Sequence, residues 1–274
     1  MVELLPEDEA ARLLRKAQDE GIRRFDTAPS YGVAEERLGR FLGPGTEVWT
    51  KLGPFGRGAI RIGRCQRSLE ASLERLRRER LDLVQWHNWT ADLLDDAEFL
   101  LCCEKLRKDQ RVGDLGATTY GSEDACAAVT SGFFRVVQLE WNLLNQSVLD
   151  SVHQLVSRGD VAIALRSVFL QGVLTGRGEH LPRSLDGLRE PRLALVKFAG
   201  DWGMDVAELA LRAALNQPGV ASVVFGVDEE EALSSALAAA RSGPLPSRCL
   251  AELKAFDLKG APVADPRSWD SIVS

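Results

Sequence analysis

The chain has 274 residues, 45% of them apolar, which is ample material for one large hydrophobic core. Its 34 basic and 40 acidic side chains give a net charge of −6, and no basic cluster follows one face or helix, which argues against a nucleic-acid partner. No segment approaches the ~20 consecutive apolar residues of a membrane span, so no membrane partner is expected.

The opening MVELLPEDEA is acidic and lacks the basic-then-apolar order of a secretory signal. The five cysteines, Cys65, Cys102, Cys103, Cys126 and Cys249, are odd in number and show no C-x-x-C spacing. Free thiols in a reducing cytoplasm are therefore expected, and no metal site. Cys102 and Cys103 are adjacent in a helical stretch, so one is expected to face the core and the other to face away.

Taken in chain order, short β-rich runs alternate with longer helical patterns. A first helix is predicted over Pro6–Glu20, with Pro6, Glu7, Asp8 and Glu9 suited to its N-terminus and Gly21 to its C-terminal cap. Strand Ile22–Asp26 then leads to helix Ala34–Phe41, strand Glu47–Lys51 to helix Ile60–Arg78, and strand Leu81–His87 to helix Leu101–Lys108. Strand Val112–Thr118 precedes helix Ser122–Val129, and strand Val136–Leu139 precedes helix Val148–Ser157. Strand Val161–Arg166 with helix Val206–Leu215, and strand Ala221–Phe225 with helix Asp228–Ala240, complete the series.

Runs such as LDLVQW and VAIALRSV are almost continuously apolar, as in a parallel sheet buried on both faces. Strict alternation of β and α implies either a closed barrel or a doubly wound layer. The layer would carry G-x-G-x-x-G after an early strand, but TAPSYG is not such a loop and GPFGRG at Gly53–Gly58 has the wrong glycine spacing. The expected fold is α/β: a (β/α)8 TIM-type barrel forming one domain over residues 1–274, with its first strand abbreviated or missing. Seven convincing strands would leave an open edge of unpaired backbone groups, which proteins avoid. Val2–Leu5 is therefore expected to form a short first strand between Ile22–Asp26 and Ala221–Phe225; the alternative is a sequence that starts after its natural strand.

In such a barrel the reactive groups gather at the C-terminal ends of the strands. Those positions hold Asp26, Lys51 and His87, with Tyr31 in the first loop, from a chain with only two tyrosines and three histidines. A free phenol, with a pKa near ~10, is a poor proton donor at neutral pH, and a neighbouring ammonium favours its ionised form. A carboxylate would fix that ammonium, and a neutral imidazole could orient a carbonyl oxygen. The quartet suits reduction of an aldehyde or ketone. Taken singly, Asp26 also reads as a helix cap, Lys51 as a strand end and His87 as a core histidine.

The segments FDTAPSYGVAEERLGRFL, VWTKLG, DLVQWHN, GDLGATTYG, VVQLEWNLL, RSVFLQGVLTG and SVVFGVDEEEAL occur in an order that resembles the aldo-keto reductases, over roughly Pro6 to Ala240. The resemblance implies Tyr31 as general acid, Lys51 and Asp26 as its tuning pair, and His87 as carbonyl orienter. It implies NADP or NAD as cofactor. Thr118, Thr119 and Gln138 match positions that bind the carboxamide, and Trp141 stands where a stacking tyrosine is usual. Ser167, Phe169, Gln171 and Gly172 match the pyrophosphate loop, while Gly226 and Val227 would open a last helix whose N–H groups favour phosphate.

Two departures matter. Basic side chains usually hold a 2′-phosphate at the start of the last helix, but Asp228, Glu229, Glu230 and Glu231 stand here, with Ala232 and Ala236 in place of amides. The family's first barrel strand is also missing before Pro6. Phe55, Arg57, Trp89 and Trp141 are candidate pocket residues by loop position. The reading is an NAD(P)(H)-dependent oxidoreductase acting on a small-molecule carbonyl, such as a sugar. Alternatives are a weakly cofactor-binding barrel serving as a regulatory or interaction subunit, and a non-redox lyase or isomerase.

Overall fold

The computed structural model describes residues 5–156 and 161–269. Among them, seven strands form one sheet in the order β1 to β7, the sequential order expected of a parallel βα series. They are β1 (Arg24–Asp26), β2 (Glu47–Leu52), β3 (Leu81–Trp86), β4 (Val112–Thr119), β5 (Val136–Glu140), β6 (Ala162–Arg166) and β7 (Val220–Val223). Parallel pairing joins β1 through β4 and joins β6 to β7. The expected strand at Val2–Leu5 falls mainly outside the described residues. Leu5 itself is described, lies in no strand, and its carbonyl accepts from Arg37 Nη2 at 2.5 Å.

The chain forms two compact units, one of Met1–Gln138 with Val227–Leu233 and the other of Leu139–Gly226 with Ser234–Ser274. The first unit carries helices α1 (Glu7–Asp19), α2 (Ala34–Phe41), α3 (Ile62–Leu76), α4 (Ala97–Lys108) and α5 (Ser122–Thr130). Gly21 ends α1 as expected, at φ +95° and with its N–H bonded to the Gln18 carbonyl. Helix α4 starts four residues before the predicted Leu101 because Asp96 caps it, accepting from the N–H groups of Glu98 and Phe99. Asp96 also accepts from Gly58 N at 2.8 Å. That bond above all, with those to Phe99 and Glu98, holds the carboxyl below its ordinary range.

The expectation that Cys102 and Cys103 face opposite ways is wrong, since both are buried. The covered stripe of α4 runs Phe99, Cys102, Cys103, Leu106, a spacing of i, i+3, i+4 and i+7 that takes in both cysteines. Arg75 donates to Glu35, which is buried and also accepts from Thr50 Oγ1 at 2.5 Å. One acid thus ties α2 to β2 and α3. Gly39 lets α2 approach α3 closely: a Cβ there would lie 2.3 Å from the Arg75 carbonyl oxygen. Because that neighbour is backbone, Gly39→Ala is expected to destabilise by about 1–3 kcal/mol, read as a lower urea midpoint at unchanged slope.

The second unit carries α6 (Ser147–Val156), α7 (Arg189–Asp201), α8 (Val206–Leu215) and α10 (Ser247–Leu253), together with most of α9 (Glu230–Arg241). Sequence reading missed α7; its Pro191 sits in the first turn, where proline is tolerated. Buried Arg192 of α7 donates to the carbonyls of Val173 and Thr175 and so fixes the chain after β6.

Candidate active site

The strand register places the site. Asp26 pairs with Trp49 and Lys51 with Gln85, so Asp26, Lys51 and Gln85 project from the same side of neighbouring strands. His87 follows β3 rather than ending it, and its N–H continues the ladder to the Leu52 carbonyl at 2.9 Å. Lys51 is only 1% exposed. Its Nζ donates to Asp26 Oδ2 at 2.5 Å and to the Thr27 carbonyl at 2.7 Å. A buried ammonium needs such partners to remain charged.

Tyr31 lies over this pair. Lys51 Nζ is 4.9 Å from the centre of the Tyr31 ring, and the His87 ring meets it edge-on at 6.0 Å between centroids. Tyr31 is 47% exposed, unusual for a large aromatic side chain, so part of the phenol faces open space. The arrangement puts a phenol, an ammonium and an imidazole around one spot. That set can hold a carbonyl oxygen and pass it a proton.

Asp26 has further partners that sequence reasoning did not assign. Its Oδ1 accepts from Gln85 Nε2 at 2.8 Å and from Gln138 Nε2 at 3.1 Å, and Gln138 Nε2 also lies 3.3 Å from Gln85 Oε1. A lone glutamine inside LDLVQW was the available signal, because a buried amide must find partners. Gly116, paired with Gln85, makes room for it: a Cβ at 116 would lie 3.0 Å from Gln85 Cγ and 2.8 Å from the Val136 carbonyl.

The other expected site residues divide between the units. In the first, Thr118 and Thr119 end β4 and are buried, and Thr118 binds the turn after His87, accepting from Asn88 N at 2.8 Å. Trp89, a candidate pocket residue, is a core residue instead: it packs against the rings of Phe99 and Phe134 at 6.3 and 5.4 Å. Phe55 is half-buried beneath the Arg64 guanidinium, and Arg57 is exposed. Val227 lies in the first unit three residues before α9, which starts at Glu230 rather than at Asp228.

In the second unit, Ser167, Leu170 and Gln171 all have positive φ (62°, 46° and 51°), as does Gly172 at 92°. Three non-glycine residues in this region mark a loop held in a strained shape. Phe169 packs against Phe225 and a cluster of Leu211, Ala236 and Ala239, so its ring belongs to a core. Trp141 is fully buried, its backbone N–H donating to the Arg166 carbonyl. Gly226 is exposed, with open space where a Cβ would be.

The family model for the aldo/keto reductase family matches residues 3–258. The chain belongs to that family. It is an oxidoreductase of the class that acts on small carbonyl and alcohol substrates. It is 28% identical to an L-galactose dehydrogenase of Arabidopsis thaliana over 255 residues, covering 85% of this chain and 78% of the relative. It is likewise 28% identical to a D-threo-aldose 1-dehydrogenase of a Pseudomonas species over 271 residues, covering 81% and 80%. Its fold matches the holo form of aldo-keto reductase AKR11C1 from Bacillus halodurans with a TM-score of 0.82 at 21% identity, covering 94% and 90% of the two chains. The fold is thus the TIM-type barrel of this family. Among the described residues no helix is long and apolar enough to cross a membrane.

Proposed function

We propose that the protein interconverts a carbonyl and an alcohol on a small metabolite, using a nicotinamide dinucleotide, with Tyr31 as general acid. The observation that carries this reading is the buried Lys51–Asp26 pair lying beneath an exposed Tyr31, with His87 at the ring edge. His87 orients the carbonyl oxygen. Tyr31 gives that oxygen its proton, and the Lys51 ammonium stabilises the phenolate left behind. Asp26, steadied by Gln85 and Gln138, keeps Lys51 charged in a dry site. Bound cofactor supplies the hydride.

The donor set fits the nicotinamide end of such a cofactor. Gln138 has its amide nitrogen committed to Asp26 and Gln85, which leaves its carbonyl oxygen to accept from a carboxamide. The sugar dehydrogenases among the relatives support a sugar or similar polyol as substrate. A regulatory or interaction subunit would have no use for a buried ion pair under an exposed phenol, so catalysis is the preferred reading.

At the start of α9 the structure adds two cations that the sequence did not suggest. Glu230 receives Arg12 at 3.8 Å and Lys16 at 3.5 Å from α1, and Arg12 also binds Asp8. Both cations are engaged by carboxylates, and Asp228, Glu229 and Glu231 add to the negative charge lining the same depression. A 2′-phosphate would meet like charge there, whereas a ribose hydroxyl can donate to a carboxylate. NADH is therefore expected to bind at least as tightly as NADPH. Side-by-side titrations followed by nicotinamide fluorescence test both points: absence of binding by either cofactor removes the oxidoreductase mechanism, and a clear NADPH preference removes the specificity assignment alone.

A further inference from the structure

Helices α3 and α4 pack together in the first unit, and each brings one cysteine to the contact. Cys65 stands in the first turn of α3 and Cys102 in the middle of α4. Their sulfurs are 3.4 Å apart. Both residues are 1% exposed, yet they line a small surface depression with Ile62, Gln66, Lys105 and Asp109. Neither thiol takes part in the proposed carbonyl chemistry.

Two buried thiols side by side could be ordinary packing, because cysteine behaves as a small apolar residue. The electrostatics of the five cysteines argue for more. When Cys102 loses its proton, the Cys65 thiol can donate to the sulfur left behind. That hydrogen bond is the main cause that lowers the Cys102 pKa and raises that of Cys65. Lys105 on the next turn of α4 also favours the Cys102 thiolate, against burial and the charges of Glu98 and Asp96. Burial pushes Cys103 up to about 12 and raises Cys126 and Cys249 as well. The shared hydrogen bond favours a thiolate within this pair, and at 3.4 Å the neighbouring thiol is in place to resolve an oxidised form.

We propose that Cys65 and Cys102 are an oxidisable dithiol that hydrogen peroxide converts to a disulfide between α3 and α4. The Cys102 thiolate attacks one peroxide oxygen; an S–O bond forms, the O–O bond breaks, and the leaving hydroxide takes up a proton as water. Cys65 sulfur then attacks the Cys102 sulfenic sulfur. The S–S bond forms, the S–O bond breaks, and the departing oxygen leaves as a second water with the Cys65 proton. Two thiols have lost two hydrogens and one peroxide has become two waters. The sulfurs need only close from 3.4 Å to the ~2.05 Å of a disulfide. The new bond would span the segment that carries β3 and His87 and would restrict the unfolded chain.

The test uses the full chain treated with hydrogen peroxide, with and without dimedone as a sulfenic-acid trap, followed by alkylation and peptide mapping. Expected is a cross-link between the peptides of Cys65 and Cys102 that dithiothreitol reverses, with Tm about 5–10 °C higher in the oxidised form. The tryptic peptide with Cys102 also holds Cys103, so Cys103→Ser assigns the bond and should retain it. Cys65→Ser should abolish the cross-link and leave dimedone on Cys102. Cys102→Ser should leave Cys65 unlabelled. Wild-type protein in which Cys65 and Cys102 stay alkylatable while Cys126 or the methionines oxidise overturns the proposal, as does a Cys102–Cys103 bond. Neither result depends on the reductase assignment.

Discussion

Replacing Tyr31 with phenylalanine is expected to lower kcat by at least ~10²-fold with a simple aldehyde, while cofactor affinity changes little. The substitution removes the hydroxyl and leaves the ring, so the contacts with Lys51 and His87 persist. Because the side chain is 47% exposed and the ring is retained, the change is expected to have little effect on folding. A fall in kcat with matching Tm and matching cofactor titration would assign the proton to this phenol. An unchanged kcat would mean that another group supplies it, and Tyr31 would then be only a wall of the pocket.

The second large effect is expected at Lys51. Changing it to methionine keeps the length of the side chain but leaves the Asp26 carboxylate buried without its cation. Losing one partner of a buried pair costs about 3–5 kcal/mol, far above the usual surface substitution. Asp26 and Lys51 are 9% and 1% exposed, so solvent offers little relief. Chemical denaturation should show that loss, together with a kcat below that of the wild type. Adding Asp26→Asn to Lys51→Met should recover part of the stability, because the orphaned charge is gone, without recovering activity. If the double variant is as unstable as the sum of the two single changes, the pair is not the coupled unit described above.

The alternation of elements was legible because each depends on local pattern: apolar strands of the LDLVQW type, and a first helix punctuated by Pro6 and Gly21. Asp26, Lys51 and His87 stood out for the same reason, since the end of a buried strand is visible where polar side chains resume, and Tyr31 stood out in the loop after the first strand. Other features were not visible, because they depend on which distant surfaces meet. Nothing local says that Arg12 and Lys16 reach Glu230, more than 200 residues away. Trp89 looked like a pocket wall from its loop position, but Phe99 and Phe134 cover it. The adjacent cysteines looked like one inward and one outward residue until the width of the buried stripe on α4 was known. Gln85 was the avoidable omission, since a single amide in a strand buried on both faces is itself a sign of a hydrogen-bonded network.

The Asp26 network also bears on how the chain reaches its active form. The partners of this carboxylate lie 25, 59 and 112 residues further along, on β2, β3 and β5. No local segment can assemble the group, and each added partner closes a longer loop of chain at a growing entropic cost. Contacts of this separation slow folding relative to helical contacts of similar strength. The carboxylate receives its last hydrogen bond only when Gln138 of β5 reaches it, so a chain able to turn over substrate has already closed a loop of 112 residues around this centre.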